Sequence, residues 1–260
     1  MNIYRKMMVV VFAALGIFLF KGPVFADQID QNPSSTTSTT AVVSALESKK
    51  ESLTDALTAS YDELNELKSE VESIKVNDPW DKIKTNLLNQ TDKIKDYYNN
   101  SSEKLGSENI DQDSIKSLAK ELKYFREGVF SEYYKNSINF ILIFEEANLL
   151  KIADSRLDKI SSDLARLEKQ SVSKTKTLKT LYNDADKHLK LAHDLNDSAK
   201  TLFYNYLNPV KPDETKPEET NQKKEDQISD PQALIRNISH KSLDELKATY
   251  DIFINMSKTL

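Results

Sequence analysis

Glycine is the residue this chain does almost without: four occur in 260 residues. Two of them, Gly16 and Gly22, fall in an N-terminal segment expected to be removed, which leaves Gly106 and Gly128 for the working protein. Glycine supplies the positive-φ turns that a many-stranded sheet needs at every corner. It also supplies the loops whose backbone can approach a phosphate. A chain with two glycines is therefore confined to long helices, with turning left to Asn, Ser and Pro. Charged residues at 30% and hydrophobics at 38% suit helices with one apolar stripe and a solvated face. Cysteine is absent, which excludes disulfides, thiolate metal sites, cysteine nucleophiles and lipid attached to a cysteine.

Arg5 and Lys6 precede a 14-residue apolar run from Met7 to Phe20, and Val24-Phe25-Ala26 places small residues at −3 and −1 of a cleavage site. The run is shorter than the roughly 20 residues of a spanning helix. Residues 1–26 are thus predicted to be a signal peptide cut between Ala26 and Asp27, and the product to be secreted and extracellular. Removal of Arg5, Lys6 and Lys21 leaves 33 of the 36 basic residues against 41 acidic ones, a net charge of −8. Those charges are interleaved, so no basic patch exists for nucleic acid, and an acidic chain does not dock on anionic lipid by charge alone. No sorting motif such as LPxTG follows; the expectation is a released protein, or one held on the surface without a covalent anchor.

The predicted fold is all-α, an elongated antiparallel helical bundle with coiled-coil-like heptads. A Ser/Thr-rich lead, 27–40, is expected to be disordered. The bundle is placed at 41–207. Its first helix has Leu46, Leu53, Ser60, Leu67 and Ile74 at one seam position and Val43, Lys50, Leu57, Leu64 and Val71 at the other, apolar at eight of ten. Asp78 and Pro79 are read as cap and first residue of a second helix, which ends at Tyr98. Asn99 to Asp113 reads as a loop, and Asp111 or Asp113 as the cap of a third helix. That helix carries Ile115, Leu118, Leu122, Phe125, Val129 and Tyr133 on its seam, with Gly128 admitting a close neighbour. Helix continues through Leu167, as one piece or as two broken near Asn136-Ser137. Another runs to Leu207, where Ala185, Ala192 and Ala199 recur every seventh residue and let a partner approach closely. An acidic, Pro-rich linker is placed at 208–231 and a C-terminal helix at 232–260. In that helix Ser242 and Glu245 form a capping box ahead of an apolar stripe, expected to dock back on the bundle, with a recognition helix on a tether as the alternative.

No catalytic constellation is found: GxSxG, HExxH, a Walker loop and EF-hand spacing are all missing. His188 and His193, five apart, point away from each other on a helix and cannot share a metal. No cofactor, metal site or enzymatic activity is expected. The most unusual stretch is 129–150, where Phe130, Tyr133, Tyr134, Phe140 and Phe144 surround Ile138 and Ile141. It reads as the central helix of a bundle, with a candidate membrane or interface segment as the sharper alternative.

A signal peptide ending at Ala26-Asp27-Gln28, about 230 cysteine-free helical residues and a Leu207-Asn208-Pro209 break before the last helix resemble the layout of CAMP factors. These are secreted co-haemolysins of Gram-positive cocci. The chain is also similar to the secreted helical colonisation and immune-evasion proteins of those bacteria, and its low-complexity linker departs from the CAMP-factor pattern. The expected function is that of a secreted, surface-associated, non-enzymatic virulence factor that binds a host protein or cell-surface component in adhesion, colonisation or biofilm formation. The alternative is a membrane-damaging, co-haemolysin-like toxin using 129–150. Nucleic acid is not an expected partner, and a second copy of the chain, giving a homo-oligomer, is a further candidate.

Overall fold

A computed structural model describes residues 39–107, 110–169, 175–209 and 230–259, with side-chain surroundings from Leu46 onward. The cleavage site at Ala26 and Asp27, the lead up to residue 38 and linker residues 210–229 lie outside the described residues. Every regular element among the described residues is helical: α1 (Thr39–Ser73), α2 (Trp80–Gly106), α3 (Gln112–Phe125), a π-helical turn (Arg126–Phe130), α4 (Ser131–Lys169), α5 (Thr175–Leu207) and α6 (Pro231–Thr259). The helices pack into two compact units, divided between Ile138 and Asn139. The helix α4 is continuous across Asn136-Ser137, so the break considered there does not occur.

In the first unit the heptad seam of α1 is the core. Leu53, Leu57, Ser60, Leu64, Leu67, Val71 and Ile74 are all buried, which is every seam position from 53 onward. Burying a leucine stabilises by about 1.5–3 kcal/mol, so this stripe fixes α1 against its neighbours. The helix ends without glycine. The Lys84 ammonium donates to the Glu72 and Ile74 carbonyls at 2.8 and 2.7 Å, satisfying acceptors the last turn leaves open. Lys84 beside Glu72 and Lys68 beside Asp92 set α1 and α2 antiparallel.

Two local expectations are corrected here and a third is narrowed. Asp78 does not cap α2: Pro79 is the boundary residue, and the Asn77 carbonyl accepts from Trp80 N at 2.9 Å. Nor does α2 stop at Tyr98. It continues to Gly106 because the inward face runs on through Thr91, Ile94, Tyr98, Ser101 and Leu105. The Ser101 hydroxyl donates to the Tyr97 carbonyl at 2.9 Å, so a polar residue packs inward at no hydrogen-bond loss. Finally, Asp111 and not Asp113 caps α3, accepting from Ser114 N at 2.8 Å. The Ser114 side chain, and then this backbone bond, hold its carboxyl below the usual range.

The second unit is a three-helix bundle of α4 from Asn139 onward, α5 and α6. Asn196 beside Ile143 and His193 beside Asp154 make α4 and α5 antiparallel; Tyr206 beside Gln232 and Ala192 beside Ser242 do the same for α5 and α6. Ala185, Ala192 and Ala199 are fully buried, as the sequence spacing requires of a close seam. Opposite them Ser239, Ser242 and Thr249 are equally buried, so small residues meet small residues. The last helix begins at Pro231 behind Asp230, whose carboxylate accepts from Gln232 N and Ala233 N at 3.0 and 3.1 Å. Ser242 is therefore an interior residue of α6 and not a cap. The stripe Leu246, Tyr250, Phe253 and Met256 is buried, so α6 is docked. One end of this core brings Leu164, Leu178 and Met256 together.

Candidate functional site

The segment 129–150 serves chiefly as core. Phe130, Tyr133 and Phe140 are buried, and Tyr134, Ile138, Ile141 and Phe144 are half-buried. Among the described residues no helix is long and apolar enough to cross a membrane.

Where this segment begins, the backbone departs from α-helical form. The π turn Arg126–Phe130 accommodates one extra residue and shifts the seam by one position. Consequently Val129, expected on the inward face, is turned out at 58% exposure, and Phe130 takes the interior place at 3%. Gly128 in the same turn is exposed, and a Cβ built on it would meet nothing within 4 Å. It admits no close neighbour, contrary to expectation, because the shifted register points it to solvent.

The turn is held from two sides. The Arg126 guanidinium donates to the Ser60 hydroxyl and the Glu63 carboxylate of α1, each at 2.7 Å, and lies 5.1 Å from the Phe130 ring. Beneath it, Tyr97 stacks on Phe125 with centroids 3.7 Å apart, and Tyr98 meets Phe125 edge-on. The Tyr98 hydroxyl is buried without a partner, and burial pushes its pKa up to about 12. Tyr133 shares a hydrogen bond of 2.7 Å with Thr91. An open groove of about 270 Å³ results, with Ile94, Phe125, Val129 and Tyr133 as its apolar lining and Lys93 and Glu132 among its polar residues. Tyr124, at 72% exposure, precedes the turn, so two large apolar side chains stand in solvent within six residues. Sequence reasoning placed Val129 in the core because a 3.6-residue period cannot register a one-residue insertion.

A second constellation lies inside the three-helix unit. Glu146 of α4 is fully buried, and neither carboxyl oxygen has a hydrogen-bond partner. Asn196 of α5 and Ser242 of α6 lie beside it and lower its pKa, but both donate to main chain: Asn196 Nδ2 to the Ile143 carbonyl at 3.0 Å and the Ser242 hydroxyl to the Ala192 carbonyl at 2.6 Å. Burial dominates and raises the Glu146 pKa to about 7. Asn196 Oδ1, Ser239 Oγ and Asn139 Oδ1 are likewise buried and unpartnered. In the sequence Glu145-Glu146 stands as the polar end of the apolar run from Ile138 to Phe144. The available signal was the heptad Asn139, Glu146, Ala153, Ile160, Leu167, which puts Glu146 on the inward seam of α4.

Two of the three histidines take structural partners. His188 Nδ1 lies 2.6 Å from Glu245 Oε2, and His193 Nε2 lies 3.0 Å from Asp154 Oδ1, each bridging two helices. No group of three or more His, Asp or Glu side chains among the described residues is placed to hold a metal ion. No family model, curated protein or solved structure matches the chain.

Proposed function

We propose that this chain is a secreted, surface-associated, non-enzymatic bacterial factor that binds a host protein or cell-surface component in adhesion, colonisation or biofilm growth, using the faces of its helices. One observation carries the reading: the π turn places Val129 in solvent on the lining of an open, largely apolar groove, with exposed Tyr124 just before the turn. Exposed apolar side chains rimmed by polar ones are the usual make-up of a protein-binding patch, and tyrosine is among the residues that most often anchor one. Arg126, clamped to Ser60 and Glu63, keeps this surface in shape before a partner arrives. The signal-like segment 1–26 and the acidic mature chain agree with work outside the cell on a partner that is not nucleic acid. Burial of Phe130, Tyr133 and Phe140 weighs against membrane damage through 129–150, since those rings would first have to leave the core.

A clean deletion strain compared with its parent for adherence to host cells tests the proposal. Reduced adherence, restored by the wild-type chain and not by one carrying Tyr124→Ser and Val129→Ser, is the expected result. Equal adherence of deletion and parent strains removes it.

A further inference from the structure

The buried groups around Glu146 come from all three helices of the second unit, and their arrangement is unlike that of a structural polar contact. A buried carboxyl kept for stability is normally matched by donors, because an unpaired ionised group in a core is costly. Here the Ser242 hydroxyl hydrogen and one of the two Asn196 amide hydrogens go to helix carbonyls, and both carboxyl oxygens of Glu146 and Asn196 Oδ1 are left without partners. The site accepts a neutral Glu146, and burial outweighs the neighbouring groups that favour a charged one.

We propose that Glu146 makes the docking of α6 on α4 and α5 dependent on a bound proton, so that the three-helix unit is closed when the carboxyl is protonated and loosens as it ionises. The seam supports this geometrically. Ser242 lies both beside Glu146 and against the backbone of α5, so solvating an ionised Glu146 requires water to enter where α5 and α6 meet most closely.

The charged groups on the packed helices do not offset the charge. Lys200 of α5 is the cation that acts on Glu146, and it is already 3.0 Å from Asp197. His193 of α5 is taken by Asp154 of α4, and Glu245 of α6 by His188 of α5. On α4 itself the adjacent residue, Glu145, is a half-buried acid; Arg236 and His240 of α6 are half-buried and exposed. The sign follows from linkage. Burial raises the closed-state pKa to about 7 from 4.5, so the closed form holds the extra proton between those values, and closure is lost as pH rises through that window. This is the reverse of acid-triggered opening.

Hydrogen exchange on the mature chain, followed by peptide and corrected for the intrinsic pH dependence of exchange, tests the device. With these two pKa values the opening constant of α6 should be about 70-fold larger at pH 8 than at pH 5. Peptides from residues 53–105 of the first unit serve as the internal reference and should not show that step. Glu146→Gln, nearly isosteric and never charged, should abolish the step in α6, and Glu146→Leu should do the same. Protection in α6 that is flat between pH 5 and pH 8 in the wild-type chain overturns the proposal. So does a step that persists in both variants, which would assign it to another group.

Discussion

Substituting Ala192 by leucine tests the close contact between α5 and α6. The Ala192 side chain is fully buried, and its own carbonyl accepts from Ser242 Oγ at 2.6 Å. A serine side chain thus spans the whole distance between the α5 backbone and α6, and a leucine at 192 finds no space for three further carbons. Overpacking of this kind costs roughly 1–3 kcal/mol. Pushing the helices apart also breaks the Ser242 bond, about 1 kcal/mol more, for a total of about 2–4 kcal/mol. Urea unfolding followed by far-UV circular dichroism measures it; Trp80 lies in the other unit, so its fluorescence supplies a separate signal that should not move. Ala59→Leu on the exposed side of α1 is the matched control and should leave both signals unchanged. A dichroism midpoint for Ala192→Leu equal to or above that of wild type would refute the close-seam argument.

Other consequences follow from single contacts. Gly128→Ala meets no atom within 4 Å and should stabilise the first unit by about 0.5–1 kcal/mol in the same urea experiment, whereas a glycine kept for close packing would make the alanine destabilising. Tyr133→Phe removes the buried bond to Thr91 and should cost about 0.5–1.5 kcal/mol. A double-mutant cycle with Thr91→Val should return most of that value as coupling.

The extent to which all this was legible in the sequence depended on the period. The α1 seam repeats every seven residues without interruption, and every one of its positions from Leu53 to Ile74 is buried. Ala185, Ala192 and Ala199 likewise announced a close contact that the structure contains. Polar residues whose hydroxyls bond to a helix carbonyl were harder to see. Ser101 looked like loop, and Ser242 like a cap, because a hydroxyl bonded to a helix carbonyl is indistinguishable in sequence from one that ends a helix. The π turn was invisible for a different reason. Nothing in Arg126-Glu-Gly-Val-Phe130 marks an inserted residue, and only tertiary packing decides that Phe130 goes in and Val129 out. Glu146 shows a third limit. Charge in a sequence reads as surface, yet its heptad neighbours carried it inside. Val129, turned out at the π turn, and the unpartnered carboxyl are both places where the local rule yielded to the packing of the whole unit.

Binding of the labelled mature chain to host epithelial cells, compared with the Tyr124→Ser/Val129→Ser double variant, tests the central claim most directly. Both residues are exposed, so the variant should unfold at the wild-type urea midpoint while its cell binding falls at least tenfold. Saturable binding by the variant equal to that of wild type, or an absence of saturable binding by the wild-type chain, would contradict the assignment of this surface as the working face.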